Sequence, residues 1–173
     1  TGGLGFIGRA LARQLLAQGG HEIVLVDMLS EQVHGPNPDY SGITDDPAVT
    51  VIKDDICTPG VLQKALVGAD VVYHLAAETG TGQSMYQIQQ YYRTNVMGTA
   101  LLLEEIVKDS NLRPKVLVLS SSRSIYGEGA YVRADATDPE TAQRYYPRAR
   151  SVADMNAGRF EFEQDGEPLV PVA

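Results

Sequence analysis

Short apolar runs alternate with stretches of helical periodicity along the first two-thirds of the chain. Residues 23–28 (IVLVDM), 49–53 (VTVIK), 70–76 (DVVYHLA) and 115–120 (KVLVLS) are runs of strand length, rich in Val and Ile. Such continuous runs predict strands buried on both faces, as in a parallel sheet. Between them, Ile7, Leu11 and Leu15 recur every four residues with Ala10 beside them, which predicts a helix ended by Gly19-Gly20. Thr58-Pro59 suits the cap and first position of a second helix running to about Val67, with Val61, Leu62, Ala65 and Leu66 inward and Gly68 as its stop. A longer helix is predicted over 85–109, with Leu101, Leu102, Glu105 and Ile106 near its end. Residues 30–48, rich in Pro, Gly, Asp and Ser, predict a loop. Strands alternating with helices at this spacing imply a doubly wound α/β fold, its parallel sheet covered on both faces. Thr1 already lies in the turn that follows a first strand, so that strand is expected to be absent from the sequence, which reads as part of something longer.

From about Glu128 the periodicity is lost. Residues 128–173 hold four of the nine prolines and many charges, and read as a loop-rich insertion or connection. The 173 residues carry 14 Lys+Arg against 22 Asp+Glu, a formal net charge of -8. That balance argues against non-specific nucleic-acid binding and against anionic membranes. No apolar run approaches the ~18 residues of a membrane helix, and no secretory signal is legible, so the cytoplasm is the default compartment. The single cysteine, Cys57, excludes an internal disulfide and a multi-thiolate metal site, and reads as a small core residue.

The strongest chemical signal is TGGLGFIG at 1–8, with Gly2, Gly5 and Gly8 three apart, followed at once by a helix. Glycines there permit a tight turn and close approach of the backbone to a pyrophosphate, whose charge sits at the helix N-terminus. Asp27 ends the next strand about 20 residues on, where a carboxylate accepts hydrogen bonds from both hydroxyls of an adenosine ribose. A carboxylate there also repels a 2'-phosphate, which favours NAD over NADP. His74, alone in an apolar strand, reads as a core histidine.

TGGLGFIG, Asp27, Asp55-Ile56, HLAA at 74–77, NVMGT at 95–99 and SSSRSIYG at 120–127 stand in the order and spacing of the extended short-chain dehydrogenase/reductase family. The chain resembles its nucleotide-sugar epimerase and dehydratase branch over residues 1–127, which are identified as an NAD-binding, Rossmann-like domain. The resemblance implies that Gly2, Gly5, Phe6, Ile7 and Gly8 line the pyrophosphate and that Asp55 and Ile56 meet the adenine. It further implies that Leu75, Ala76 and Ala77 line the cofactor between ribose and nicotinamide. Asn95 would brace the active-site helix, and Ser120 would lie near the nicotinamide. Ser122 takes the place of the catalytic Ser/Thr, while Thr79, Ser84 and Tyr126 fall on the substrate side.

Two departures stand out. The family's base is a Tyr with a Lys four residues on, the Lys lowering the phenol pKa. This sequence has no lysine after Lys115. Tyr146 with Arg150 is a weak substitute, and the pair is expected beyond Ala173, in a C-terminal substrate lobe. Residues 1–173 alone are therefore expected to be inactive. The stretch ETGTGQS at 78–84 also has Thr79 where sugar epimerases often have Lys. HLAAETGTGQSMY and SSRSIYGEG look most like the bacterial subgroup acting on dTDP-6-deoxyhexoses, of the dTDP-L-rhamnose 4-epimerase type. The tail FEFEQDGEPLVPVA resembles the end of that subgroup's insert without its cysteines, so no metal is implied.

The implied activity is an NAD-dependent nucleotide-sugar 4-epimerase acting on a UDP- or dTDP-hexose, in a family that often forms homodimers. A 4,6-dehydratase is the alternative. It would place Asp-Glu just after the catalytic hydroxyl, where this sequence has Arg123 and Ser124. A non-catalytic NAD(P)-binding regulatory protein is a reading of another class, and a methyltransferase is remote.

Overall fold

A computed structural model describes residues 1–172; Ala173, at the end of the expected insertion, lies outside the described residues. The chain divides into two compact units, Thr1–Ser120 and Ser121–Ala173.

The first unit begins in the glycine turn and runs directly into α1 (Phe6–Gln18). It continues through β1 (Ile23–Asp27), α2 (Glu31–His34), α3 (Ser41–Thr44), β2 (Val49–Lys53), α4 (Val61–Leu66) and β3 (Val71–His74). A continuous helical stretch follows, made of α5 (Ile88–Tyr91), a π-helical turn (Tyr92–Met97) and α6 (Gly98–Lys108), before β4 (Val116–Leu119). β1 pairs in parallel with β2 in the register Ile23–Val49 to Asp27–Lys53. β3 pairs in parallel with β4 from Val71–Val116 to His74–Leu119. Residues 1–3 lie between the two pairs. The Thr1 nitrogen donates to the Tyr73 carbonyl at 2.8 Å. Leu75 N–H donates to the Thr1 carbonyl at 3.1 Å, and Gly3 N–H to the Val26 carbonyl at 3.2 Å. The turn is thus laced to the carboxyl ends of β1 and β3, where ligands bind in open parallel sheets.

Both faces of β1 are covered, but β4 is not the doubly buried strand that its apolar run predicts: it pairs only with β3, and Val116, Val118 and Leu119 are exposed. Successive strand residues point to opposite faces. Ile23 and Leu25 pack with Leu4, Ala12 and Ile43, while Val26 packs with Ile56, Val61, Leu62, Leu66, Val72, Leu102 and Leu112. Burying this much apolar surface is what holds so short a set of strands in register.

Four local expectations are revised. The buried residues of α1 are Gly8 and Ala12, with Leu15 and Leu16 partly covered, whereas Ile7 is exposed. The helix starts directly over the glycine turn, where only small residues fit. α4 starts at Val61 rather than Pro59, because Gly60 (φ 82°) is its N-cap and the Thr58 hydroxyl donates to Asp54 Oδ1 at 2.7 Å instead of capping the helix. The 30–48 segment contains α2 and α3, anchored by Ile43, which is wholly buried. The long helix begins at Ile88, after a single 3₁₀ turn at Gln83–Met85.

The second unit has regular structure where the sequence shows no periodicity. β5 (Tyr131–Arg133), β6 (Phe162–Gln164) and β7 (Glu167–Pro171) form an antiparallel sheet in the order β5-β7-β6, with a short helix α7 (Val152–Asn156). Its core is Tyr131, Val132 and Leu169. Arg150 is its polar hub: it donates to Glu128 at 2.7 Å and to the Phe160 carbonyl at 2.7 Å, and its guanidinium stacks over Phe162 at 4.2 Å. Arg150 is therefore committed within this sheet, and Tyr146 is exposed. Among the described residues no helix is long and apolar enough to cross a membrane.

Candidate functional site

An open cleft at the carboxyl end of the sheet collects residues far apart in sequence. Gly2, Gly5, Asp27, Asp55, Ile56, Leu75, Ala76 and Ala77 line it together. Its remaining wall includes Met28, Ser30, Val33, His34, Glu78 and Thr94, which the sequence does not single out.

The glycine turn makes the floor. Gly2 has φ +64°, and a Cβ there would lie 2.7 Å from the Ala76 nitrogen and 2.8 Å from the Leu75 carbonyl carbon. A Cβ on Gly8 would collide with the Gly2 carbonyl oxygen. Turn, strand end and helix start are therefore in such close backbone contact that neither position has room for a side chain. Phe6, Ile7 and Gly8 are the first helical residues, whose N–H groups have no partner within a helix. The first turn has no acidic residue to neutralise the positive end of the helix dipole. The side chains of Phe6 and Ile7 point to solvent (82% and 62% exposed), so what these residues offer an anion is backbone.

Asp27 is buried at the end of β1. Its Oδ2 accepts from Leu4 N–H at 3.0 Å and its Oδ1 from Leu29 N–H at 3.0 Å. His34 Nε2 lies 3.2 Å from Oδ1. The expectation that Asp27 takes two ribose hydroxyls meets a carboxylate already holding two backbone donors, with the His34 ring against it.

Asp55 carries a partner of its own. Its Oδ1 accepts from Cys57 N–H at 2.8 Å, and its Oδ2 is ion-paired with Arg93 on the π-helical turn. Burial works against the charged form, but the Cys57 amide and the Arg93 guanidinium outweigh it and hold this carboxyl below its ordinary range. Burial and then Asp55 push the Cys57 thiol up, away from the reactive thiolate.

The remaining sequence-singled residues sit at the edges. Asn95 braces the π-helical turn against the loop after β3: it accepts from Glu78 N–H at 2.8 Å and donates to the Glu78 carbonyl at 3.0 Å. π-turns inside helices are frequent at functional sites. The Ser120 hydroxyl donates to the His74 carbonyl at 3.0 Å, and that of Ser84 to the Thr81 carbonyl at 2.7 Å. Thr79 lies in the loop after β3, ahead of Ser84. Ser122 and Tyr126 belong to the second unit, where Ser122 caps a 3₁₀ turn by accepting from Ser124 N–H at 3.1 Å.

His74 is a core histidine, as read, and also a hydrogen-bonded junction. Thr99 Oγ1 donates to the Asn95 carbonyl at 2.8 Å, so at 3.0 Å it accepts from His74 Nε2–H. Thr1 Oγ1 accepts from Ala76 N–H at 3.3 Å and lies 2.8 Å from His74 Nδ1, to which it donates. The ring is thereby neutral and fixed in one tautomer, tying the glycine turn to α6. Burial lowers its pKa from 6.5 to about 4. The folded state then binds fewer protons than the unfolded chain between these values. The stabilisation is complete above pH 6.5 and is lost progressively down to about pH 4. On the order of 2 kcal/mol is expected to be lost across that window. Urea titrations from pH 7 to 4 test this: His74→Gln, which pairs without titrating, should show a shallower fall in midpoint than the parent.

Comparison with known proteins sets this geometry in context. Residues 1–160 match the family described as "NAD dependent epimerase/dehydratase family". The chain is 35% identical to dTDP-L-rhamnose 4-epimerase of Burkholderia thailandensis over 164 residues, covering 94% of the chain and 42% of the relative. It is 30% identical to dTDP-glucose 4,6-dehydratase of Streptomyces griseus, covering 91% of the chain and 47% of the relative. Among solved structures it resembles UDP-glucuronic acid 4-epimerase from Bacillus cereus in complex with NAD. That match has a TM-score of 0.60 and 32% identity, covering 73% of this chain and 40% of that one. The chain thus spans less than half the length of these relatives.

Proposed function

The chain belongs to the NAD-dependent epimerase/dehydratase family, and from that premise we propose that it forms the NAD-holding part of a nucleotide-sugar 4-epimerase. The observation that carries this reading is the glycine turn: backbone packed so tightly on the end of β3 that Gly2 has no room for a Cβ, open helix N–H groups beside it and a buried carboxylate at the next strand end. These residues fit a dinucleotide. Gly2, Gly5 and the amides of Phe6, Ile7 and Gly8 would hold the pyrophosphate. Asp27 would hold the adenosine ribose, Asp55 and Ile56 the adenine, and Leu75, Ala76 and Ala77 the stretch toward the nicotinamide. Ser120 would stand near the nicotinamide, with Asn95 keeping the helix beside it in place.

When bound, NAD supplies a hydride acceptor, so a sugar hydroxyl at C4 is oxidised to the ketone and later reduced on its other face. Ser122 orients that C4 oxygen by hydrogen bonding. Thr79, Ser84 and Tyr126 lie along the nucleotide sugar, a dTDP- or UDP-hexose. A base must take the hydroxyl proton. Residues 1–173 contain no Tyr with a Lys four residues on, so by themselves they do not turn over. Residues 128–173 form an insertion or connection leading to the substrate lobe, and the protein works in the cytoplasm as a homodimer.

The epimerase reading is preferred to the dehydratase because Arg123 and Ser124 follow Ser122 in place of an Asp-Glu pair that would move the C5 and C6 protons. Proton NMR of dTDP- and UDP-hexoses incubated with NAD and the full-length polypeptide separates the two. The expected product is the C4 epimer. A 4-keto-6-deoxy sugar would assign the dehydratase, and bound NAD without any conversion would favour a regulatory binding protein. Turnover by residues 1–173 alone would overturn the requirement for an outside base.

A further inference from the structure

At the ribose end of the cleft, His34 and Tyr40, which belong to no motif of the sequence, form a hydrogen-bonded pair against Asp27. Imidazole Nε2 of His34 sits on Asp27 Oδ1 at 3.2 Å, and Nδ1 lies 2.5 Å from the Tyr40 hydroxyl. The two rings meet edge-on with centroids 5.7 Å apart. Arg9, on the first turn of α1, lies over the Tyr40 ring at 6.0 Å. The His34 side chain is 5% exposed, although Glu31, Gln32 and Val33 just before it are exposed. One imidazole is thus buried from an otherwise solvated turn, and both of its nitrogens are paired.

The backbone is bent to allow it. Leu29 has φ +54°, a left-handed conformation in which a branched side chain is strained. The bend brings Leu29 N–H onto Asp27 Oδ1 and turns the chain so that α2 ends with His34 against the same carboxylate. Because an ionised carboxylate only accepts, Nε2 carries the hydrogen and the Tyr40 hydroxyl donates to Nδ1. Two carboxylate oxygens offer about four acceptor positions. Leu4 and Leu29 take two, His34 Nε2 stands 3.2 Å from Oδ1 and covers a third, and the one left is on Oδ2.

We propose that His34, held by Tyr40, is a positioning residue that locks the Asp27 carboxylate with a single acceptor left for a ribose hydroxyl, and so sets the preference for NAD over NADP. This rests on the NAD reading above. A locked carboxylate offers its one open position to a hydroxyl and cannot rotate away from a 2'-phosphate. An unlocked one can do both, and discrimination falls.

Calorimetric titration of the protein with NAD and with NADP tests this in the parent, His34→Ala, His34→Gln and Tyr40→Phe. His34→Ala is expected to weaken NAD about tenfold, the effect of one hydrogen bond to a charged group, and to shrink the NADP-to-NAD ratio of Kd values about fivefold. His34→Gln, whose amide can donate to Oδ1, should restore the ratio to within about twofold. Tyr40→Phe removes one oxygen and should fall between them; it carries the test if His34→Ala does not fold. A purely structural role would lower the melting temperature and leave the ratio unchanged, and that result with NAD still bound overturns this proposal alone. Failure of the parent to bind either dinucleotide overturns the NAD reading with it.

Discussion

Replacing Gly2 with alanine is expected to weaken NAD binding by at least about 100-fold, equivalent to about 2.7 kcal/mol. Two costs combine. The backbone at φ +64° disfavours any L side chain by roughly 1–2 kcal/mol. The new methyl would also sit 2.7 Å from the Ala76 nitrogen and 2.8 Å from the Leu75 carbonyl carbon. These are backbone atoms of the stretch that lines the other wall of the cleft, so relief requires the turn and β3 to separate. Gly19 supplies the control. It has φ +70° but nothing within 4 Å of a built Cβ. Gly19→Ala should cost about 1 kcal/mol of stability through the backbone alone and leave the Kd for NAD unchanged. Titration calorimetry with urea denaturation of both variants separates strain from the loss of the glycine turn. Equal affinities for NAD in the two variants would show that the glycine turn is not where the cofactor lies.

Asp27 gives the second large effect. Every group against its carboxylate is a donor: Leu4 N–H, Leu29 N–H and His34 Nε2–H. Asp27→Ala strands these donors, and a buried unpaired donor costs about 1–3 kcal/mol. A stability loss of about 2–4 kcal/mol is therefore expected, together with a fall in NAD affinity of about 30-fold or more. The near-isosteric Asp27→Asn should be almost as damaging. Its amide nitrogen must face one of the donors, since no arrangement of one oxygen and one NH₂ satisfies all three. Denaturant midpoints and NAD titrations for both variants check this. A fully stable Asp27→Asn protein would mean that His34 or Leu29 does not engage the carboxylate.

The sheet was legible because its signals are local. Four Val/Ile-rich runs spaced by helical segments determine a parallel sheet, and TGGLGFIG with Asp27 points to the end of it where a ligand sits. The errors have physical causes. Hydrophobicity alone marks Ile7, Leu11 and Leu15 as the inner stripe of α1, yet packing against the glycine turn selects for smallness, so Gly8 and Ala12 are buried and Ile7 is not. Thr58 looked like a helix cap, but Asp54 competes for its hydroxyl. The sheet of the second unit escaped notice because its strands are three to five residues long, too short for periodicity to show.

The polar partners in the cleft were the least legible part. His34 and Arg93 lie seven and 38 residues from the carboxylates they meet, and only the folded chain brings them there. His74 is intermediate: the apolar run around it indicates burial, while its pairing with Thr1 and Thr99 depends on the turn and α6 each reaching one ring nitrogen. A buried histidine in a strand that ends beside a glycine turn does invite a search for hydroxyls on the neighbouring elements.

The central claim is that the first unit holds one NAD on the glycine turn. Native mass spectrometry of the purified protein, with and without added NAD, tests it most directly. The expected spectrum shows the chain carrying one NAD, an adduct lost in Gly2→Ala and kept in Gly19→Ala. A chain that stays bare in excess NAD, or carries it equally well with Gly2→Ala, would contradict the account.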